Sequence, residues 1–104
     1  LASKRRLFRC YQEAFRDVRK LRLIAEPEGS HSNYWLQTLL LDQSVANQRD
    51  AILDATNSVG LMTRPVWTLL HLLPPYTGFP RAPLPVAESL EHRIINLPSS
   101  AGLV

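Results

Sequence analysis

The segment from residue 60 to residue 76 carries the side chains best suited to binding chemistry. Arg64 can pair with a phosphate or carboxylate through two parallel hydrogen bonds, and His71 can donate to a hydroxyl, carbonyl or phosphate group. Trp67 and Tyr76 offer aromatic faces on which a nucleotide base or a sugar ring can pack. Alternatives stay open: an exposed ion pair for Arg64, a hydrogen-bonded structural histidine for His71, and core packing for the two aromatic residues.

Motifs of several common catalytic centres are missing from the chain. There is no Gly-rich phosphate loop, no Gly-x-Ser-x-Gly elbow and no His-Glu-x-x-His helix. The three histidines lack metal-ligand spacing, and the single cysteine rules out an internal disulfide. That cysteine, Cys10, falls in a helical pattern and is predicted to be a small buried apolar residue rather than a nucleophile.

Length and composition indicate one small globular domain. The 104 residues are 45% hydrophobic and 20% charged. The net charge of +3 conceals an asymmetry, because most basic side chains lie within residues 1–22. This pattern predicts a basic helix on a neutral-to-acidic body, unlike the uniformly basic surface of a nucleic-acid-binding domain. With no secretory signal and no apolar run near the ~20 residues that span a bilayer, we expect a cytoplasmic protein without nucleic-acid or membrane partners.

Apolar spacing predicts the elements in the first half of the chain. A helix with Ser3 as N-cap is expected because apolar residues recur at helical spacing, namely Leu7, Tyr11, Ala14, Phe15 and Val18. Residues 21–25 form a short strand, and residues 34–41 form a strand covered on both faces, with a buried helix as the alternative. A second helix starts near Asn47, has Asp50 in its first turn and buries a face that includes Val59. It stops at Gly60.

The second half is punctuated by proline. Val66 to His71 should form a strand, with Trp67 and His71 on the same face. A third helix is predicted from Pro85 to Arg93, followed by a last strand over residues 94–97. The result is an α+β fold in which a small mixed or antiparallel sheet is covered on one side by helices.

An ordered set of segments resembles the DegT/StrS family of pyridoxal-phosphate sugar aminotransferases. The resemblance covers nearly the whole chain and is carried by residues 4–7 with Tyr11, 32–36, 49–60, 63–71, 75–76 and 96–100. The Arg-Pro-Val-Trp-Thr and Asn-Leu-Pro-Ser-Ser segments look most like the branch that aminates UDP-linked 4-keto-6-deoxy-N-acetylhexosamines, as in legionaminic acid synthesis. Perosamine synthases are a close second.

The resemblance implies that residues 1–104 are the small C-terminal domain of a fold-type-I aminotransferase. In that family pyridoxal 5′-phosphate is held by a lysine of the large domain, glutamate donates the amino group, and the enzyme is a homodimer. The resemblance places His71 on the nucleotide-sugar side of the active site. With Arg64, Trp67 and Tyr76, which were selected above for their side chains, it completes the predicted substrate-binding residues.

Two departures from the family pattern predict a fragment. Lys4 and Lys20 are the only lysines, and neither has the family's Schiff-base context, so the fragment alone should be inactive. The family usually continues past Ser100 into a final helix, whereas this sequence stops at Val104. The alternative is a stand-alone, non-catalytic binding or dimerisation module.

Overall fold

The computed structural model describes residues 1–104 as three α-helices and four β-strands joined by turns and short 3-10 segments. The helices are α1 (Ala2–Ala14), α2 (Arg49–Ser58) and α3 (Pro85–Glu91). The strands are β1 (Leu21–Leu23), β2 (Gln37–Leu41), β3 (Arg64–Pro65) and β4 (Ile94–Leu97). None of the helices has the length and apolarity that a membrane crossing requires.

The four strands form one antiparallel sheet in the order β1-β2-β4-β3. Leu39 of β2 lies opposite Ile95 of β4, and Arg64 of β3 lies opposite Asn96 of β4. The predicted α+β fold with a small antiparallel sheet is therefore confirmed. Because β4 lies between β2 and β3, the last strand of the sequence occupies the middle of the sheet.

One face of the sheet carries the hydrophobic core. Leu39, Leu41 and Ile95 form its centre and are each at most 5% exposed. Phe15 at the end of α1, with Ile52 and Leu53 of α2, packs against this centre. The predicted cover of helices on one side is thus present. Alternation along β2 explains the choice of face, because residues 37, 39 and 41 point the same way.

Helix α1 packs through part of the predicted stripe, with Phe8 added to it. Leu7 and Phe8 are buried, and Tyr11 donates a 2.9 Å hydrogen bond to the Pro98 carbonyl. Cys10 is exposed, so its predicted burial is wrong. The stripe through Leu7, Phe8 and Tyr11 turns the neighbouring Cys10 position away from the sheet.

The ends of α1 also differ from the prediction. Leu1, not Ser3, is the N-cap, and it makes no side-chain capping hydrogen bond. The helix ends at Ala14, which is exposed, and Val18 beyond it is 44% exposed. The polypeptide then turns through Lys20, whose φ of 65° starts β1 in a new direction.

Helix α2 is preceded by a 3-10 turn over residues 43–48. Asp42 caps this turn by accepting a 2.9 Å hydrogen bond from the Ser44 amide. Asp50 stands in the first turn of α2 as predicted, near the positive end of the helix. Val59 is 73% exposed, so its predicted place on the buried face is wrong. Gly60 has a φ of 84°, which confirms it as the glycine that ends the helix.

Gly60→Ala should destabilise the protein by about 1 kcal/mol, because only backbone strain opposes the new methyl group. A Cβ at Gly60 meets no atom within 4 Å, so steric overlap contributes nothing. Urea denaturation gives the free energy of unfolding. Gly78→Ala is the matched control, since its Cβ also meets nothing and its φ lies outside the left-handed region. Equal stability of the two variants would contradict the role of Gly60.

The strand predicted from Val66 to His71 does not form. Strand β3 contains only Arg64 and Pro65, residues 66–69 have no regular structure, and residues 70–72 form a 3-10 turn. Pro65 has no amide hydrogen to donate, which is tolerated only at a sheet edge and ends the pairing there. Trp67 and His71 are therefore not displayed on one strand face.

The third helix and the last strand agree closely with prediction. Pro85 occupies the first turn of α3, where its missing amide hydrogen costs nothing. The helix ends at Glu91, two residues before the predicted end, and β4 has the predicted bounds. Strand β2 begins at Gln37 rather than at Tyr34, because Tyr34 has a φ of 46° and cannot continue an extended strand.

Candidate functional site

A cleft of about 800 Å³ lies beside β3 and the segment that follows β4. Its volume is within the range of about 300–1,000 Å³ that small-molecule sites occupy. Arg64 is the only charged residue in its wall, which is otherwise built of apolar and uncharged polar groups. A cleft with one cation and no carboxylate favours ligands that carry negative charge.

Arg64 is held at the cleft by the end of α2. Its Nη1 donates to Asn57 Oδ1 and to the Thr63 carbonyl, each at 2.8 Å. Asn57 in turn donates to the Thr63 carbonyl at 3.1 Å, which ties α2 to the start of β3. The remaining guanidinium nitrogens have no partner within the chain, so the side chain is oriented while two donor groups stay available.

Asn96 lies opposite Arg64 in the β3–β4 pair and lines the same cleft. It is 9% exposed, and its Oδ1 accepts a 2.9 Å hydrogen bond from the Thr38 hydroxyl. Its amide nitrogen has no partner within the chain. The Thr38 contact therefore fixes the amide with its two N–H donors left over.

Two exposed tryptophans lie at the same end of the molecule. Trp67 lines the cleft and is 66% exposed, and Trp35 is 62% exposed. Their ring centroids are 6.1 Å apart with planes inclined by 41°. Trp67 was predicted either to stack on a ligand or to fill the core; its exposure shows that it does not fill the core. Of the neighbouring pair, Tyr34 is buried and Trp35 is exposed.

Trp35 follows a loop that is fastened to α1 by Arg5 and Glu26. The guanidinium of Arg5 contacts both carboxylate oxygens of Glu26, at 2.5 and 3.0 Å, and also donates to the Ser32 carbonyl at 2.8 Å. Glu26 accepts a hydrogen bond from the Ser32 amide at 2.6 Å. Tyr34 stacks on Phe8 at 4.1 Å between centroids. We call the contacts among Arg5, Glu26, Ser32 and Tyr34 the loop clamp.

The loop clamp should make stability depend on pH. The hydrogen bond from Arg5, followed by that from the Ser32 amide, lowers the pKa of Glu26 from 4.5 to about 2. A carboxylate whose pKa is lower in the folded state stabilises the fold above its unfolded pKa, here 4.5. That contribution is lost as the pH falls through about 2.

Glu26→Gln should therefore be less stable than the unchanged protein at pH 7, and the two should converge as the pH falls from 4.5 to 2. Urea denaturation over pH 2–7 measures the difference. Glu28→Gln is the control, because Glu28 is exposed and outside the clamp. A constant difference between Glu26→Gln and the unchanged protein at every pH would show that the charge of Glu26 is not what holds the loop.

His71 and Tyr76 do not line this cleft. The His71 side chain is 9% exposed, and its Nε2 lies 3.3 Å from Oε1 of Glu88 in the first turn of α3. Arg81 contacts the same Glu88 oxygen at 3.3 Å. Tyr76 is 45% exposed and lies beside Phe79, with ring centroids 6.5 Å apart. The structure thus separates the four predicted site residues into two groups, with Arg64 and Trp67 in one and His71 and Tyr76 in the other.

Local sequence features do not identify Asn96 or Glu88 as residues of a site. Their partners, Arg64 and His71, are 32 and 17 positions away in the chain. Only the β3–β4 register brings Asn96 to Arg64, and only the path of residues 72–84 brings Glu88 to His71. No local spacing signals either pair.

The two lysines of the chain do not form a site for pyridoxal 5′-phosphate. The ammonium group of Lys4 donates to the Ser99 carbonyl at 2.7 Å, so it is engaged in holding α1 to the end of β4. Lys20 stands in the turn before β1, away from the residues that line the cleft. No amine in the cleft can form a Schiff base, so the residues present do not fit the cofactor.

The fold matches part of a larger solved structure. The solved structure of DesI in the presence of its TDP-sugar product superimposes with a TM-score of 0.89 at 26% sequence identity. The match covers 99% of this chain and 27% of DesI.

Sequence relatives lead to the same class of protein. GDP-perosamine synthase from Vibrio cholerae is 34% identical over 79 residues, which are 75% of this chain and 22% of the relative. GDP-perosamine synthase from Caulobacter vibrioides is 31% identical over 70 residues, which are 67% of this chain and 19% of the relative. Residues 1–104 match the DegT/DnrJ/EryC1/StrS aminotransferase family, and the chain belongs to that family. It spans about a fifth of the length of these relatives.

Proposed function

We propose that residues 1–104 are the substrate-side C-terminal domain of a pyridoxal-phosphate-dependent aminotransferase that acts on nucleotide-linked keto-sugars. Family membership supports an aminotransferase that acts on sugars. The observation that carries the substrate side is the cleft, in which the lone charge of Arg64 stands near the exposed face of Trp67. That combination suits a ligand with both a phosphate group and a ring.

The cofactor belongs, in this proposal, to a large domain that precedes residue 1. The lysines of this chain do not fit it, and the chain spans about a fifth of its relatives. The cofactor would supply the electron sink for amino transfer, while the present residues bind and orient the sugar nucleotide. The exposed apolar side chain of Met62 is consistent with further contacts to a large domain or a second subunit. We propose a cytoplasmic homodimer.

The substrate is proposed to be a 4-keto-6-deoxy sugar linked to a nucleoside diphosphate, aminated for a surface polysaccharide or a nonulosonic acid. The names of the relatives support the class: two are GDP-perosamine synthases, and DesI was solved with a TDP-sugar product. Arg64, Trp67, His71 and Tyr76 remain the proposed substrate-binding residues, in the two groups described above.

Amino transfer by the full-length protein is the direct test. The protein is incubated with glutamate and a nucleotide-linked 4-keto-6-deoxy sugar, and the amino sugar and 2-oxoglutarate are measured by mass spectrometry. Equal amounts of both products are expected, because the amino group of glutamate replaces the keto oxygen of the sugar. Residues 1–104 alone should give neither product. If the full-length protein also gives neither with any keto-sugar nucleotide, the alternative of a non-catalytic binding or dimerisation module is favoured.

A further inference from the structure

We propose that Arg81 is a positioning residue for His71, because it shares the Glu88 carboxylate with the imidazole and reduces the negative charge that Glu88 presents there. This inference rests on the proposed function, in which His71 contacts the sugar. It adds to that function a residue from the loop between the 3-10 turn at residues 74–76 and helix α3. Through Glu88, Arg81 then controls which protonation state of the imidazole meets the substrate.

One carboxylate oxygen joins the three side chains. Oε1 of Glu88 accepts a 3.3 Å hydrogen bond from Nη1 of Arg81, and it lies 3.3 Å from Nε2 of His71. Glu88 is the only carboxylate within ion-pair distance of the imidazole, and Arg81 is the only arginine or lysine within that distance of Glu88. The guanidinium and the imidazole therefore compete for the same negative charge.

The three side chains differ in their contact with water. The His71 side chain is 9% exposed, whereas those of Glu88 and Arg81 are 44% and 46% exposed. Because the imidazole has little water around it, its protonation depends on the charges beside it. Water weakens the influence of Arg81 without removing it, since the guanidinium keeps its charge throughout the working pH range.

Prolines hold Arg81 near α3 although residues 80–84 have no regular structure. Pro80 and Pro83 lie on either side of Arg81, and Pro85 opens the helix that carries Glu88. Each proline fixes its own φ and restricts the residue before it to extended geometry, so the loop loses little conformational freedom when the Arg81–Glu88 contact forms. The arginine is thus presented to the first turn of α3 by a stiff segment.

The protonation state matters for the hydrogen bonds that His71 can form. A neutral imidazole has one donor and one acceptor, whereas the protonated ring has two donors and cannot accept the hydrogen of a sugar hydroxyl. Removing Arg81 leaves the charge of Glu88 uncompensated, which favours the protonated ring. Removing the charge of Glu88 has the opposite effect.

The experiment follows the imidazole signals of the full-length protein by NMR, with ¹³C-labelled histidine, as the pH changes. The signal that is absent from His71→Ala belongs to His71. Arg81→Gln should raise the pH of half-protonation of His71 by about half a unit, the effect in water of one charge roughly 6 Å away. Glu88→Gln should lower it by roughly one unit, because the carboxylate is nearer.

Two control variants separate charge from shape. Arg81→Lys keeps the positive charge and should titrate like the unchanged protein. Arg19→Gln removes an exposed arginine from the turn before β1 and should also leave the His71 titration unchanged. The inference is wrong if Arg81→Gln titrates like Arg19→Gln, or if Arg81→Lys shifts the titration as far as Arg81→Gln does.

Turnover of a nucleotide-linked keto-sugar by the same variants distinguishes this inference from the proposed function. The acidic limb of turnover against pH should move upward in Arg81→Gln by the same amount as the NMR titration. An unmoved limb would overturn the positioning role of Arg81 and leave the proposed function intact. Absence of amino transfer in the unchanged protein would overturn the proposed function, whereas a shifted titration would still show that Arg81 governs the charge at the imidazole.

Discussion

Ile95→Ala should lower the free energy of unfolding by about 3 kcal/mol, within the range for large-to-small core substitutions. Ile95 is 1% exposed and stands in the inner strand β4, opposite Leu39 on one side and Pro65 on the other. Only ten of the 104 residues are buried, so few other contacts can compensate for the lost side chain. Urea denaturation at pH 7 measures the change.

Val86→Ala provides the control for the core substitution. Val86 lies in α3 and is 70% exposed, so removing its two methyl groups should change stability by less than about 0.5 kcal/mol. Similar losses in the two variants would mean that the face bearing Leu39, Leu41 and Ile95 is not the core. Asn96 follows Ile95 and lines the cleft, so Ile95→Ala should also disturb the position of Asn96 in the cleft wall.

Much of the fold was predictable because local patterns coincide with it. Strand β4 was predicted with its exact bounds, because its apolar residues lie between a helix opened by Pro85 and the turn residues after Leu97. The end of α2 was found through Gly60, since few residues other than glycine adopt its φ of 84°. These elements depend on backbone preferences that act over a few residues.

Errors arose where tertiary packing overrides the local pattern. The run from Val66 to Leu72 is apolar enough for a buried strand, yet Trp67, Leu70 and Leu72 are each at least 49% exposed. The edge position of Pro65 ends the sheet before that run begins. The predicted burial of Cys10 is wrong for a similar reason. Helical spacing predicts an apolar stripe, but it does not show which residues beside that stripe face the sheet.

The candidate site was predictable in its chemistry and not in its assembly. Arg64 and Trp67 lie in the same short segment, so the sequence alone shows that they are close together. Trp35 joins them only because Tyr34 takes a left-handed conformation and the loop clamp links positions 21 residues apart, Arg5 and Glu26. Long-range ion pairs of this kind leave no trace in periodicity, which explains why the clamp was missed.

His71 is the predicted site residue whose surroundings the structure defines most sharply. Its imidazole is almost enclosed, and Glu88 lies 3.3 Å from Nε2. The nearby carboxylate and the enclosing residues hold the imidazole in one place. An imidazole held in this way can form a hydrogen bond with a substrate hydroxyl, a role that does not require the cleft of Arg64.

His71→Ala in the full-length protein should therefore reduce sugar turnover on the order of 100-fold, the loss typical of removing one oriented polar group from an active site. The absorbance spectrum of the resting enzyme should stay the same, because His71 is proposed to act on the sugar and not to hold the cofactor. Stopped-flow turnover and the resting spectrum are measured on the same preparation.

His92→Ala separates a functional role of His71 from the general loss of a histidine. His92 is exposed at the end of α3, so turnover in that variant should match the unchanged protein. Glu88→Gln gives the intermediate case: it keeps the shape of the carboxylate and removes its charge, so turnover should fall by less than in His71→Ala. If His71→Ala turns over sugar at the normal rate, the His71–Glu88 pair serves only to pack α3 against residues 70–72, and the substrate contacts lie in the cleft alone.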